Sequence, residues 1–116
     1  MDDQAYDKLM QANIARVFNE RDAVRRQAAI AELYAADATL FEPGTQAAGH
    51  AAIDAAVGGL LASLPPEAVF TATGPAVGHH GLGRLRWQSG PVTGTDVAHI
   101  DGGRIRTLHV FIDPMS

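Results

Sequence analysis

Residues 33–53 read LYAADATLFEPGTQAAGHAAI, and this stretch joins a helical pattern to a strand pattern and then to another helical pattern. The apolar stripe of the helix that precedes this strand, the second of the chain, ends by about Asp37. The letters ATLFEP then indicate a short strand, which ends at Pro43 and Gly44. The strand ends in a carboxylate, Glu42, which adds little to packing. A functional role for Glu42 is therefore the first hypothesis that the sequence suggests.

Helical patterns come before strand patterns along most of the chain. Apolar residues recur every three to four positions over residues 6–18, 24–34 and 53–64, which predicts three amphipathic helices, the second capped by Asp22. Four strand patterns follow, AVFTAT, VGHHGLGRLRW, VTGTDVAHI and RIRTLHVFI, separated by GP, SGP and DGG turns. This order predicts an α+β fold in which helices cover one face of an antiparallel sheet.

Length and composition limit the classes of protein that the chain can belong to. Its 116 residues, 47% of them hydrophobic, predict a single domain over residues 1–116. The net charge of −4 and the absence of a long basic run predict no nucleic-acid partner. The chain has no cysteine, no signal-peptide pattern and no apolar run of the ~20 residues that a membrane span needs, so we expect a cytoplasmic protein without membrane contact.

The last strand pattern is apolar on both faces. Alternation predicts that Arg106, Leu108, Val110 and Ile112 share one face and that Ile105, Thr107, His109 and Phe111 share the other. A sheet that curls around a cavity on one side and packs against helices or a second subunit on the other needs this pattern. We therefore expect a pocket for a small hydrophobic ligand and a homodimer formed through the outer sheet face.

The order of elements, together with LYAADATLFEPG, GHAAI, GTDVAHIDGGRI and the closing FID, resembles the nuclear transport factor 2-like superfamily. Within it, the sequence is similar to SnoaL-like polyketide cyclases and ketosteroid isomerase-like proteins. The resemblance covers nearly the whole chain and implies a cone-shaped, curved sheet around a cavity. It also implies an isomerase or cyclase that moves protons without a cofactor, although this fold also hosts epoxide hydrolases and non-catalytic binding proteins.

Two carboxyl groups match positions of the family pattern. The aspartate base of ketosteroid isomerases precedes a proline in a similar segment, and that position is Glu42 here. The carboxylic acid of that pattern, and the acid/base residue of the cyclases, both fall on Asp96. An apolar cavity raises the pKa of a carboxyl group, and a neutral carboxyl can donate a hydrogen bond to a developing oxyanion. The resemblance thus implies that Glu42 is the base and Asp96 the acid, the same division of roles as in ketosteroid isomerase.

The strand pattern VGHHGLGRLRW offers a second base. Alternation places His80 and Arg84 on one face and Leu85 and Trp87 on the other, and we expect the His80 face to line the cavity. His80 is then an alternative base, and Arg84 beside Asp96 suggests an epoxide hydrolase as the alternative function. The residues predicted to shape the pocket are Tyr34, at the end of the second helix, together with Arg84, Trp87, Leu108 and Val110.

Five histidines raise the question of a metal site. Alternation predicts that His79 and His80 diverge, His50 begins a helix, and His99 and His109 face away from Asp96 and Leu108. Because no three of them share a location, we expect no metal site.

Overall fold

The structure, a computed structural model, describes residues 1–114 and contains three helices and one sheet. The helices are α1 (Asp3–Asn13), which continues as a π-helical turn (Ile14–Phe18), α2 (Ala23–Leu33) and α3 (His50–Ser63). The strands are β1 (Tyr34–Glu42), β2 (Thr45–Ala48), β3 (Thr71–Ala72), β4 (Val77–His79), β5 (Leu82–Ser89), β6 (Val92–Asp101) and β7 (Arg104–Ile112).

The seven strands form one curved, open sheet on which the helices pack, and the predicted α+β fold is confirmed. The order is β2-β1-β7-β6-β5-β3, and β4 also pairs with β5. All pairs are antiparallel except β1 and β7, which run parallel, so the sheet is mixed and not antiparallel throughout as the sequence predicts. Buried apolar side chains from the helices and the inner sheet face form one core cluster. Within residues 1–114, no helix has both the length and the apolar character needed to cross a membrane.

Aspartate side chains begin the first two helices. The carboxylate of Asp2 accepts from the backbone N–H of Ala5 at 2.8 Å, and that of Asp22 accepts from the N–H of Arg25 at 2.9 Å. Each satisfies a donor that the first turn leaves free, so the predicted cap at Asp22 is confirmed.

Strand β1 begins earlier than the sequence pattern indicates. Helix α2 ends at Leu33, and Tyr34 is the first residue of β1, where it pairs with Ile105 of β7. The prediction that Tyr34 ends the second helix is therefore wrong. Its spacing fits the helical stripe, but a long-range backbone pairing outweighs that local preference.

An extra residue in β7 changes which side chains face inward. His99 pairs with Thr107 and Ile100 with Ile105, so Arg106 has no partner residue on β6. Such a bulge interrupts the alternation of a strand. As a result Ile105 is buried, and Arg106 points to solvent and contacts Asp37 at 3.0 Å, contrary to the predicted faces.

Helices α2 and α3 are joined by a buried ion pair. Arg26 is only 6% exposed, and its Nε donates to Asp54 Oδ1 at 2.7 Å. A second guanidinium nitrogen of Arg26 donates to the carbonyl of Glu20. The guanidinium lies against Gly58, where a Cβ atom would approach its nitrogen to 2.9 Å, whereas a Cβ at the next residue, Gly59, would meet nothing within 4 Å.

This difference predicts opposite effects of two neighbouring substitutions in α3. Gly59→Ala should raise the free energy of unfolding by about 0.5–1 kcal/mol, because alanine restricts the unfolded chain and favours a helix. Gly58→Ala should gain less or lose stability, because the methyl group displaces Arg26 from Asp54. Urea unfolding of both variants measures the difference. Equal gains would show that the guanidinium moves away freely.

Candidate active site

A cavity of about 230 Å³ opens at one end of the inner sheet face. Its walls come from the π-helical turn, the end of α3, the segment before β3 and the ends of four strands. Most of its lining is apolar, and two carboxyl groups interrupt it. The lining residues are Ile14, Phe18, Glu42, Leu60, Leu64, Phe70, Trp87, Ser89, Val92, Asp96, Val110 and Ile112.

Asp96 lies in the middle of the sheet and is 3% exposed. On β6 it pairs with Leu85 of β5 and Val110 of β7, so its side chain shares their inward face. Its Oδ1 accepts a hydrogen bond from Trp87 Nε1 at 2.9 Å. Burial raises the pKa of Asp96 to about 7, an effect that the Trp87 hydrogen bond opposes and the nearby charge of Glu42 reinforces. Near neutral pH this carboxyl therefore exists both as an acid and as an anion.

Trp87 holds this carboxyl because its ring has room to lie across β6. Trp87 pairs with Gly94, where any Cβ atom would overlap the indole ring. The ring also meets the edge of Phe70 with centroids 5.4 Å apart, and Phe70 meets Phe18 at 6.2 Å. The indole N–H is directed at Asp96 Oδ1, so a protonated Asp96 must place its own hydrogen on Oδ2 to donate to a ligand.

Glu42 lies on the other side of the same cavity. It follows Phe41, which pairs with His109 of β7, so its neighbour on the inner face is Val110. Val110 also pairs with Asp96 on the next strand. Because neighbouring strands are about 4.8 Å apart, the backbones of the two acidic residues are separated by about 10 Å. Glu42 is partly exposed, and burial raises its pKa above the usual glutamate value.

Tyr34 is buried in the core and is not among the residues that line the cavity. The residue is fully buried, and its hydroxyl donates to Asn13 Oδ1 at 2.5 Å. Burial, with additional effects of the charges of Asp96 and Glu42, raises the pKa of Tyr34 well above its usual range. The phenol is therefore neutral and within the electrostatic field of both carboxyls.

Three other predicted positions are corrected by the structure. His80 is exposed in the turn between β4 and β5 with φ 53°, and its ring faces His79, with the two Nδ1 atoms 2.9 Å apart. The two rings therefore do not diverge, because the turn ends the alternation after β4. Arg84 points out of the opposite sheet face, since Leu85 and Trp87 fill the inner one. Leu108 faces inward but belongs to the solid core.

Four residues predicted to belong to the site do line the cavity: Asp96, Glu42, Trp87 and Val110. The apolar residues of the helices and of the segment before β3 were missed as cavity residues. A helical stripe predicts burial, but it does not distinguish a side chain in the core from one that borders a cavity. Asn13 was also missed, although a buried polar residue in an apolar stripe is a signal that can be read from sequence.

The charged groups in the cavity wall are Glu42 and Asp96. Within residues 1–114, no group of three or more histidine, aspartate or glutamate side chains is arranged to hold a metal ion. A partly exposed carboxyl and a buried one of raised pKa can divide the roles of base and acid toward a ligand between them.

Comparison with known proteins identifies the fold. No family model and no curated protein matches the sequence. A candidate isomerase of the SnoaL-like family from Agrobacterium tumefaciens superposes with a TM-score of 0.86 and 24% identity, over 96% of this chain and 99% of that one.

Two further structures support the same fold. A candidate polyketide cyclase from Sinorhizobium meliloti has a TM-score of 0.74 and 18% identity, over 95% and 99% of the two chains. A nuclear transport factor 2-like protein of unknown function from Mesorhizobium loti has a TM-score of 0.71 and 16% identity, over 97% and 93%. The chain therefore shares its fold with these structures, and the fold implied by the sequence resemblance is confirmed.

The buried carboxyl predicts a characteristic dependence of stability on pH. Folding raises the pKa of Asp96 from about 3.9 to about 7, so the folded state binds more protons than the unfolded state between these values. The contribution of Asp96 to stability is therefore lost as pH rises from about 4 to 7.

Asp96→Asn should remove this loss, because the amide keeps an acceptor for Trp87 and has no charge to bury. At pH 8 the variant should be more stable than the wild type by about 1–4 kcal/mol, and at pH 4 the two should be similar. Glu42→Gln, at a partly exposed position, should show a smaller gain. Urea unfolding at both pH values measures the effect, and a wild-type stability that does not fall over this window would contradict it.

The indole hydrogen bond should lower the pKa of Asp96. Trp87→Phe removes the donor and keeps an aromatic ring, so the pKa should rise above that of the wild type. Carboxyl-carbon NMR titration, assigned with Asp96→Asn, measures it. Phe70→Leu is the control, because it changes the cavity wall and leaves the indole N–H in place. A pKa that falls in Trp87→Phe would show that the ring acts only by excluding water.

Proposed function

We propose that this protein catalyses cofactor-free proton transfer next to the carbonyl group of a small apolar compound, as isomerases and cyclases do. The observation that supports this is the placement of Glu42 and Asp96 on opposite sides of one apolar cavity, in different environments. The similarity to SnoaL-like and polyketide cyclase structures is consistent with such chemistry, although it extends to the fold only.

In the proposed mechanism, Glu42 removes the proton from the carbon next to the carbonyl. Its pKa, raised by burial, makes it a stronger base than a glutamate in water. Asp96 in its neutral form donates a hydrogen bond from Oδ2 to the carbonyl oxygen, where negative charge develops. Trp87 holds Oδ1 and so directs the other oxygen toward the substrate. Glu42 then returns the proton to another carbon.

Cavity size restricts the substrate. The 230 Å³ is below the roughly 300–1,000 Å³ typical of pockets for drug-sized ligands, so we propose a compound smaller than a steroid. His80 is exposed in a turn and is not among the residues that line the cavity, so Glu42 is the proposed base. The hydrolase alternative relied on Arg84 beside Asp96, and Arg84 lies on the other sheet face.

The homodimer that the sequence predicts stays a proposal, in which a second copy of the chain contacts the outer sheet face. On this face the Phe41 and His109 rings stack with centroids 4.6 Å apart, and Phe111 is 53% exposed. These side chains are consistent with the homodimer expected from the sequence.

The isomerisation of 3-cyclohexenone to its conjugated isomer tests the proposed activity, because it requires proton removal beside the carbonyl and return at a distant carbon. Ultraviolet absorbance of the product follows the reaction. Glu42→Gln should lower kcat about 10²- to 10⁴-fold by removing the base. Asp96→Asn should lower it about 10²- to 10³-fold by weakening the oxyanion donor.

Glu32→Gln is the control, because Glu32 is an exposed carboxylate paired with Arg16 on the helical surface. It should leave kcat unchanged. Activity of the wild type should also fall above about pH 7, as Asp96 loses its proton. A wild-type rate no higher than that of Asp96→Asn would contradict the catalytic proposal and would favour a binding protein without turnover.

A further inference from the structure

The two carboxyls of the cavity have no cationic partner. The cavity wall contains no lysine, arginine or histidine, and among residues 1–114 no salt bridge involves Glu42 or Asp96. By contrast, the buried Arg26 pairs with Asp54. An uncompensated buried carboxylate is costly, so the ionised form of this site favours any ligand that brings a positive charge.

Aromatic rings border the same space. Trp87 and Phe70 lie nearly perpendicular, at an interplanar angle of 80°, and Phe18 and Phe70 at 79°. Perpendicular rings present both faces and edges to their surroundings. A ring face attracts a cation, and tryptophan does so most strongly. The hydrogen bond from the indole N–H to the Asp96 carboxyl polarises Trp87 and shifts electron density toward its ring.

The geometry also suits a single small cation with an apolar body. The backbones of Glu42 and Asp96 are about 10 Å apart across Val110, so one group placed between the side chains can contact both carboxyls. An ammonium group has up to three donors for such contacts. Around it, Ile14, Leu60 and the other apolar residues of the wall can cover a hydrocarbon body.

We propose that this cavity binds small hydrophobic ammonium ions, with the nitrogen between Glu42 and Asp96 and near the Trp87 ring, and with the hydrocarbon against the apolar wall. Charge selectivity follows from the same residues: a cation is favoured over a neutral molecule of the same shape, and an anion is rejected. The proposal shares its cavity with the proposed proton transfer but does not require turnover. Such amines would compete with the carbonyl substrate, because they occupy the space between acid and base.

Three compounds with the same ring and different charge test the selectivity: cyclohexylammonium, cyclohexanol and cyclohexanecarboxylate. Binding is measured at pH 8 by the fluorescence of Trp87, the one tryptophan of the chain, and by calorimetry. We expect the ammonium ion to bind at least 10-fold more tightly than the alcohol, and the carboxylate to show no binding. Alcohol binding as tight as that of the ammonium ion, or any preference for the carboxylate, would overturn the proposal.

Two isosteric variants locate the site. Asp96→Asn and Glu42→Gln should each weaken binding of cyclohexylammonium about 10-fold and leave the affinity for cyclohexanol unchanged, because only the charge is removed. Asp101→Asn is the control, since this carboxylate is exposed at the end of β6 and contacts Arg106. An equal loss in the control would indicate general surface attraction and would refute the assignment to this cavity.

The outcomes separate this proposal from the catalytic one. If 3-cyclohexenone is isomerised but cyclohexylammonium neither binds nor inhibits, the cation proposal fails and the catalytic one stands. If cyclohexylammonium binds with the expected selectivity and no isomerisation is found, the catalytic proposal fails and the cation proposal stands. Cyclohexylammonium that inhibits the isomerisation competitively would support both proposals. In Glu42→Gln, where residual activity can be measured, this inhibition should be weaker than in the wild type.

Discussion

The hydrogen bond from Trp87 to the buried carboxyl of Asp96 is the interaction on which the candidate site depends. It requires the indole to cross β6 where Gly94 has no side chain. It also requires β5 to turn Trp87 and Leu85 inward, which sends Arg84 to the opposite face. The inner face thereby loses its nearest candidate cation, and Asp96 is left with a neutral donor and a raised pKa.

The structure combines a solid core with a cavity on one continuous sheet face. Toward one end, Ile105 and Leu108 are fully buried in the core, and toward the other, Val110 and Ile112 border the cavity. A bulge at Arg106 adjusts the strand so that all four apolar side chains face inward. The core can thus stabilise the fold, while the cavity end of the sheet contains two carboxyl groups that do not stabilise it. Sites of this kind commonly cost stability, because function requires charges that packing would exclude.

Most secondary structure could be predicted from sequence because it follows local periodicity and turn residues. The helical stripes, the Asp22 cap and the main β-strand patterns all correspond to elements of the structure. The errors fall where non-local pairing decides. Tyr34 fits a helical stripe but pairs with Ile105, and His80 continues an alternating pattern but lies in a turn with positive φ. The alternation of side chains along the sequence does not by itself show where a strand ends or which of its faces is buried.

The sequence by itself determined the α+β class, and its motifs pointed to the fold and to Glu42 and Asp96 as the candidate acidic residues. These features depend on residue type and on spacing along the chain, which are local properties. Only the tertiary structure decided that both carboxyls share one cavity, that Trp87 and not Arg84 is the partner of Asp96, and that Tyr34 is buried in the core instead of lining the cavity. Those outcomes depend on strand order, register and burial, which bring together residues distant in the sequence and set the electrostatic environment of each charge.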